Sequence, residues 1–263
     1  MTGGMRRACL GAAGIVAVPG AAQLAMQAGG TGQKVFPLPS TVLASTWDMA
    51  SDGTFWSSAA ATAGAWAEAM AVSAAIAVPL GLVLGSVPWL EYAVRPVIEF
   101  ARPVPSIATL PLVLLIVQDN TKTEVAVIAL AAIWPILINT VYGLREVDPV
   151  ARQTLQSFGF GPLSVAWRVS LPSAAPFIAT GVRIAASIAF VVAIAAELLG
   201  SGMNGIGSYL TLAESGTGGL SPILAVAVWS GLLGLAINGA LEAAERRAFR
   251  WHHQLSATLA GAA

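Results

Sequence analysis

Apolar runs of about 20 residues recur along the chain, separated by short polar segments. A helix of that length crosses a hydrocarbon core about 30 Å thick. The pattern predicts about six such helices, and we therefore expect an all-α, polytopic membrane protein. The predicted spans cover roughly residues 8–28, 60–84, 96–117, 124–142, 176–199 and 221–242.

The composition agrees with a membrane protein. Only 10% of the 263 residues are charged and the mean hydropathy is +0.76, whereas soluble domains carry about 25% charged residues. The net charge of zero argues against a nucleic-acid partner. A single cysteine, Cys9, excludes an internal disulfide and a cysteine metal cluster. His252 and His253 are adjacent and suit a solvated tail, so we expect no metal and no cofactor.

The first apolar run, residues 8–28, has two interpretations. It follows Arg6 and Arg7 and could be a signal peptide. Its length and the later spans favour a first transmembrane helix. Three aromatic residues in the polar segment that follows suit the headgroup level of a bilayer. They are Trp47, Phe55 and Trp56.

Basic residues indicate the orientation. With the N-terminus inside, only Lys34 and Lys122 fall on the outer side, and Arg183 can snorkel from the fifth span. This bias follows the positive-inside rule, and an even number of spans places both termini in the cytoplasm. The arginines at or near the inner side are Arg6, Arg7, Arg95, Arg102, Arg145, Arg152, Arg168, Arg246, Arg247 and Arg250.

The third predicted span contains three prolines, Pro103, Pro105 and Pro111. A proline removes a backbone donor and disturbs the preceding turn. The density of prolines predicts a kinked or broken helix whose freed carbonyls are satisfied by neighbouring helices.

A polar stretch over residues 143–175 falls on the cytoplasmic side. Asp148 and Pro149 favour a helix start, and Gly159 can end that helix in the left-handed conformation. A second short helix is expected to begin at Gly161-Pro162.

Leu171-Pro172 are expected to break this second helix before the fifth span. Both short helices carry apolar faces, which fit either a groove on a partner protein or the lipid surface. These faces consist of Ala151, Leu155 and Phe158 in the first helix and Leu163, Ala166 and Trp167 in the second.

The spacing of Gly159, Val169 and Leu171-Pro172 resembles the conserved cytoplasmic loop of the permease subunits of bacterial ABC importers. Further stretches extend the resemblance, over roughly residues 36–251, to the sulfonate, taurine and nitrate branch. They are FPLPS at 36–40, Asp52-Gly53, ARPVPSIATLPL at 101–112, WPILINTVYGLREVDP at 134–149, Glu197, and GIG at 205–207.

The resemblance implies a type I ABC importer permease fold in a bacterial inner membrane, with no catalytic residues. A homodimer of such subunits would form the pathway for a small anion of sulfonate, taurine or nitrate type. Two separate ATPase subunits would drive it, and an extracytoplasmic binding protein would deliver the solute. The chain itself has no P-loop, because Lys34 and Lys122 follow Gln and Thr rather than Gly.

The implied organisation is an N-terminal helix and lead-in over residues 1–58, a permease domain over 59–250 and a tail over 251–263. The resemblance assigns contact with the ATPase to the loop 143–175. The corresponding positions are Gln153, Thr154, Leu155, Phe158, Gly159, Leu163, Val169, Leu171 and Pro172.

Two departures from the family pattern stand out. The family has Glu-Ala-Ala where this chain has Gln153, Thr154 and Leu155, so an acidic contact is missing. The second span carries Trp66 and Glu68 where an arginine is usual.

Three polar residues within the spans are candidates for a pathway or gate, since polar groups there are costly. Glu197 can line the pathway or the outer gate, or make a structural hydrogen bond. Glu68 can line the pathway or connect helices. Asn139, with Thr140 beside it, can contact solute or pack between helices.

A secondary transporter coupled to an ion gradient is the alternative function. It would use Glu68 and Glu197 as ion-binding groups and would need no ATPase. No internal repeat of the kind common in such transporters is visible, and the paired loop helices favour the importer.

Overall fold

The computed structural model describes residues 3–29, 36–200, 203–215 and 219–249. Every regular element in these ranges is helical, which confirms the all-α prediction. The expectations for Lys34, His252, His253 and the tail 251–263 concern residues outside these ranges. The helices are α1 Gly3–Gly29, α2 Pro39–Met49, α3 Gly53–Ser86, α4 Pro88–Ala101, α5 Leu110–Val117, α6 Asn120–Arg145, α7 Pro149–Ser157, α8 Pro162–Val165, α9 Leu171–Leu199, α10 Ile206–Ser215 and α11 Leu220–Ala248.

Within the described residues, four helices are long and apolar enough to cross a membrane. They are α3, α6, α11 and the continuous helix Pro162–Leu199, which contains α8 and α9. A fifth candidate is the pair formed by α4 and the helical segment Ser106–Val117, bent by 81°. The predicted span at 8–28 lies within α1, which is a helix under either interpretation. The multi-span architecture is confirmed, and the count of six is approximate.

The proline-rich third span is broken, as predicted. α4 ends at Ala101, and a 3₁₀ turn over Ser106–Thr109 precedes α5. The helix starts at Pro88, earlier than the predicted start at Pro96. A proline is accommodated in the first turn, because its missing N–H needs no acceptor there, and Val87 before it is extended.

α6 is the central helix and packs between α3 and α9. Its side chains, including the fully buried Ile136, lie in a core shared with both neighbours. Glycines permit the close approach. A Cβ added at Gly81 of α3 would lie 2.6 Å from Thr140 Cβ, and one at Gly181 of α9 would lie 2.8 Å from Asn139 Cβ. Small residues are typical of such contacts, since helices in lipid associate through close packing.

Polar side chains also connect the helices. Trp66 Nε1 in α3 donates to the carbonyl of Ala186 in α9 at 3.0 Å. Arg183 in α9 pairs with Glu245 in α11 at 3.5 Å, rather than snorkelling alone as expected. α3, α9 and α11 are therefore held together by specific contacts in addition to packing.

The polar stretch predicted over 143–175 is shorter than expected. α6 continues to Arg145, so Gly143 is helical. At the other end, Leu171-Pro172 do not interrupt the helix, which is continuous from Pro162 to Leu199. The fifth span therefore begins before the predicted Pro176.

A π turn over Ala166–Ser170 explains why Pro172 is tolerated. A proline has no N–H and its ring clashes with the carbonyl four residues earlier in a regular α-helix. The wider turn, in which the Leu171 N–H donates to Ala166 O, relieves this crowding locally. The second half of the loop is thereby joined to the fifth span by continuous helix.

The segment 200–220, between the predicted fifth and sixth spans, contains α10. α10 packs against a cluster of aromatic side chains at the end of the bundle where α3 begins. Phe55 is fully buried in the cluster rather than interfacial as expected, whereas Trp47 is 80% exposed. The cluster consists of Phe55, Trp56, Tyr209 and Trp229.

A hydrogen bond joins α10 to the start of α3. Tyr209 Oη donates to Asp52 Oδ2 at 2.6 Å, while Asp52 Oδ1 accepts from Thr54 N at 2.8 Å and caps α3. The bond from Tyr209 holds the pKa of the Asp52 carboxyl below its usual range. Burial raises the pKa of Tyr209 to about 12.

We predict that Tyr209→Phe lowers the stability of the detergent-purified protein by about 1 kcal/mol at neutral pH, because Asp52 loses a hydrogen-bond donor. The lowered pKa of the Asp52 carboxyl stabilises the fold at pH values above the pKa of the unfolded chain, which is about 4. This contribution is lost as the pH falls through the pKa of the folded protein. The unfolding temperatures of the variant and of the unaltered protein should therefore become equal in acid.

Tyr92→Phe is the matched control, since Tyr92 is 72% exposed on α4. It should leave the unfolding temperature unchanged at either pH. An equal fall in the unfolding temperature of the two variants would contradict a stabilising bond between Tyr209 and Asp52. So would a fall in Tyr209→Phe that does not diminish in acid.

Candidate functional site

The loop over residues 143–175 contains the helix cap and the glycine turn that the sequence predicts. The Asp148 carboxylate accepts from Val150 N at 2.8 Å and caps α7. Gly159 adopts φ +82°, the left-handed conformation expected of it. Its N–H donates to Gln156 O at 2.9 Å and the Phe160 N–H donates to Leu155 O at 3.1 Å, the two bonds of a Schellman motif.

The loop exposes large apolar side chains. Phe158 is 78% exposed, Leu163 72% and Trp167 65%. They lie on either side of the Gly159 turn and belong to the two predicted apolar faces. A surface of this kind needs a partner or a lipid surface to cover it.

The loop is firmly attached to the bundle. Arg152 Nη2 donates to Leu144 O, at the end of α6, at 2.6 Å. The guanidinium of Arg168 lies 5.1 Å from the ring centroid of Phe160. Val165 is buried beside the π turn. The sequence analysis used Arg152 only for orientation and missed this anchoring contact, which depends on how α7 folds back on α6.

The remaining loop residues assigned by resemblance differ in exposure. Gln153 and Thr154 are exposed, and Leu155 is half-buried. Val169 and Leu171 are half-buried near the π turn, and Pro172 is exposed. The structure thus keeps all the assigned positions in one small region around α7, α8 and the first turn of α9.

A cavity of about 480 Å³ lies beside the proline break. It is bounded by the broken third span, the middle of α6 and the middle of α9. Its polar lining includes Arg102, Ser106 and Asn139, and most other lining residues are apolar or aromatic, among them Trp134 and Ile188. Such a cavity, with few polar groups in an apolar wall, is typical of a small-solute site.

The three pathway candidates fall in different places. Asn139 lines the cavity, and its Nδ2 donates to Pro135 O at 2.8 Å. Glu68 is exposed at the midpoint of α3 and is not among the residues lining this cavity. Glu197 is buried near the C-terminal end of α9, away from the cavity.

Glu197 belongs to a buried polar cluster. Its Oε2 accepts from Gly207 N at 2.8 Å, and its side chain is within hydrogen-bonding reach of Thr62 and Glu124. Glu124 in α6 is also buried. The sequence analysis used Glu124 only as a helix boundary, because nothing local indicates that it meets Glu197.

The GIG turn fits tightly over this cluster. A Cβ added at Gly205 would lie 2.1 Å from the Glu197 carboxyl carbon, and one at Gly207 would lie 2.3 Å from Ile194 O. The Ile206 N–H donates to Thr62 Oγ1 at 2.9 Å. The glycines are therefore required by the close approach of the turn to α9.

A polytopic helical bundle with a cavity between its helices and an exposed, apolar loop fits the architecture of a membrane permease. Residues 77–250 match the family described as binding-protein-dependent transport system inner membrane component. The chain belongs to this family of non-catalytic permease subunits of ABC importers.

Relatives in this family act on different solutes. The chain is 31% identical to the bicarbonate transport system permease CmpB of Synechocystis sp., over 71% of this chain and 66% of that protein. It is 29% identical to the nitrate import permease NrtB of Leptolyngbya laminosa, over 79% and 77%. It is 30% identical to the taurine permease TauC of Escherichia coli, over 78% and 74%. The match to CmpB thus spans slightly less than two thirds of that protein.

Solved structures support the fold. The inward-facing MetNI methionine ABC transporter superposes with a TM-score of 0.65 and 17% identity, covering 74% of this chain and 95% of that chain. An amino acid ABC transporter with histidines superposes with a TM-score of 0.59 and 19% identity, covering 74% and 94%. The type I importer permease fold is therefore confirmed.

We predict that Gly205→Ala destabilises the protein by about 2 kcal/mol or more, since the new methyl group overlaps the Glu197 carboxyl group. Gly64→Ala is the control, because a Cβ there meets nothing within 4 Å. Unfolding temperatures in detergent should fall for the first variant and hold or rise for the second. If Gly205→Ala and Gly64→Ala were equally stable, the turn at Gly205 would not be packed against the Glu197 carboxyl group.

Proposed function

We propose that this chain forms the membrane pathway of an ATP-driven importer for a small oxyanion. Relatives named for bicarbonate, nitrate and taurine support this solute class. The observation that carries the proposal is the anchored loop with exposed Phe158, Leu163 and Trp167. A groove on an ATPase subunit would cover this surface.

The partners follow from the family. Two ATPase subunits receive the loops of two permease copies, which form a homodimer. The apolar faces of α7 and α8 suit a groove on each ATPase. An extracytoplasmic binding protein delivers the solute at the opposite side of the membrane. The aromatic cluster around Phe55 and the GIG turn at 205–207 lie at that end of the bundle.

The orientation that supports these partners has both termini in the cytoplasm of a bacterial cell. The loop 143–175 is then inside, and α10 is outside. The permease domain comprises residues 59–250. The segment 1–58 contributes α1 and α2, with α1 as a further membrane helix.

Transport proceeds by alternating access. ATP binding draws the two ATPase subunits together, and the loops carry this motion to the spans. α6 ends where the loop begins, and the π turn continues the loop into α9. Motion of the loop therefore reaches two of the elements that line the cavity, α6 and α9.

Family membership supports the ATP-driven importer over the ion-coupled transporter. Asn139 is the pathway candidate that suits solute contact, since it lines the cavity. Glu197 suits a role in holding the outer turn, where its carboxylate accepts from Gly207 N. Glu68, exposed in the middle of α3, suits a contact with another protein of the assembly.

We predict that Gly159→Val abolishes binding-protein-dependent uptake while the protein still inserts into the membrane. A β-branched residue is strongly disfavoured at φ +82°, so the turn between α7 and α8 rearranges. Uptake of labelled nitrate, bicarbonate and taurine by cells that carry the whole transport system is the measurement.

Gly161→Val is the matched control, because Gly161 has φ −70°, which valine adopts freely. A Cβ meets nothing within 4 Å at either glycine, so the variants differ only in backbone conformation. Normal uptake by the Gly159 variant, or equal loss in both, would count against coupling through this turn.

A further inference from the structure

We propose that Arg102 is the anion-binding group of the pathway, with the Ser106 hydroxyl as its companion at the proline break. This inference rests on the proposed function and identifies the part of the cavity that recognises an oxyanion. The sequence analysis treated Arg102 only as a basic residue near the inner boundary.

The depth of Arg102 is the first argument. It lines the same cavity as Ile138 in α6 and Ile184 in α9. Ile138 lies about 10 Å along the helix from the end of α6 at Arg145, and Ile184 lies about 20 Å from the start of α9. Both positions fall within a hydrocarbon core about 30 Å thick. Arg102 is exposed in the single subunit, and an arginine that faces a cavity at this depth in a membrane is typical of a functional group.

The second argument is charge pairing. Two other arginines share a neighbouring cavity with Arg102. Arg95 pairs with Glu99 at 2.8 Å, and Arg145 pairs with Glu91. Among the described residues, no acidic side chain pairs with Arg102 and no hydrogen bond to its guanidinium is formed. Its positive charge is therefore available to a ligand.

The geometry of the break gives Arg102 access to the cavity. α4 ends one residue earlier, at Ala101, and the chain bends by 81° before α5. Pro103 and Pro105 enforce this break because neither continues a helix. Ser106 follows and lines the same cavity. The break thus presents a cation and a hydroxyl donor from one short segment.

The chemistry of the guanidinium defines the ligand class. Its planar fork of N–H donors matches the oxygens of a carboxylate-like or sulfonate-like group. A small oxyanion bound here would neutralise the charge of Arg102. The apolar side chains in the cavity wall, several of them isoleucines, strengthen that attraction. A neutral solute would gain nothing from the arrangement.

The test uses charged thiol reagents and requires no knowledge of the solute. In the full transporter complex carrying Cys9→Ser, Ser106→Cys provides a single thiol in the cavity. Its rate of modification by an anionic methanethiosulfonate is compared with that by a cationic one. We expect Arg102→Gln to lower the anionic-to-cationic rate ratio by about tenfold.

Arg95→Gln is the matched control, because it also removes one positive charge from this part of the chain, but Arg95 lines only the neighbouring cavity. It should change the ratio much less. An unchanged ratio in the Arg102 variant, an equal change in both variants, or a thiol that reacts with neither reagent would overturn the proposal.

Uptake of nitrate and bicarbonate provides the functional arm. Arg102→Gln should abolish uptake, whereas Arg102→Lys should retain part of it, because the charge remains but the planar fork is lost. Normal uptake by Arg102→Gln would overturn the proposal. If the unaltered complex takes up neither anion, the proposed solute class fails, while the thiol ratio still decides whether Arg102 sets the potential of the cavity.

Discussion

The close packing of α6 against α3 and α9 is the constraint on which the structure depends. Gly81 and Gly181 bring the two neighbours so near to α6 that even a methyl group would overlap Thr140 or Asn139. In lipid there is little hydrophobic force between helices, and such contacts supply the association. The same packing positions Asn139 beside the broken third span. It therefore fixes the wall of the cavity that α6 provides.

The proposed mechanical role of the loop depends on this packing. It leaves α6 directly, is tied back to Leu144 by Arg152, and continues through the π turn into α9. Both of its ends therefore belong to the tightest pair of helices in the bundle. A displacement of the loop would therefore act on both helices, which suits the proposed transmission of an ATPase motion to the cavity.

Local chemistry made much of the loop predictable. Asp148 as a cap and Gly159 as a left-handed turn follow from neighbouring residues alone, and the structure has both. The break at Leu171-Pro172 was predicted wrongly, because a π turn absorbs the proline. The meeting of Glu124 with Glu197, and the position of Arg102 in the cavity, depend on how distant helices pack. No periodicity in a single sequence encodes these contacts.

Covalent capture at the loop tests the central claim, that an ATPase covers it, most directly. The photoreactive residue p-benzoylphenylalanine is placed at Phe158, 78% exposed on the loop, or at Phe100, 80% exposed on α4. After illumination of intact membranes, the account predicts an adduct from Phe158 whose second chain carries a P-loop, and none from Phe100. Adducts from Phe158 with lipid alone, in a strain that still transports solute, would contradict it.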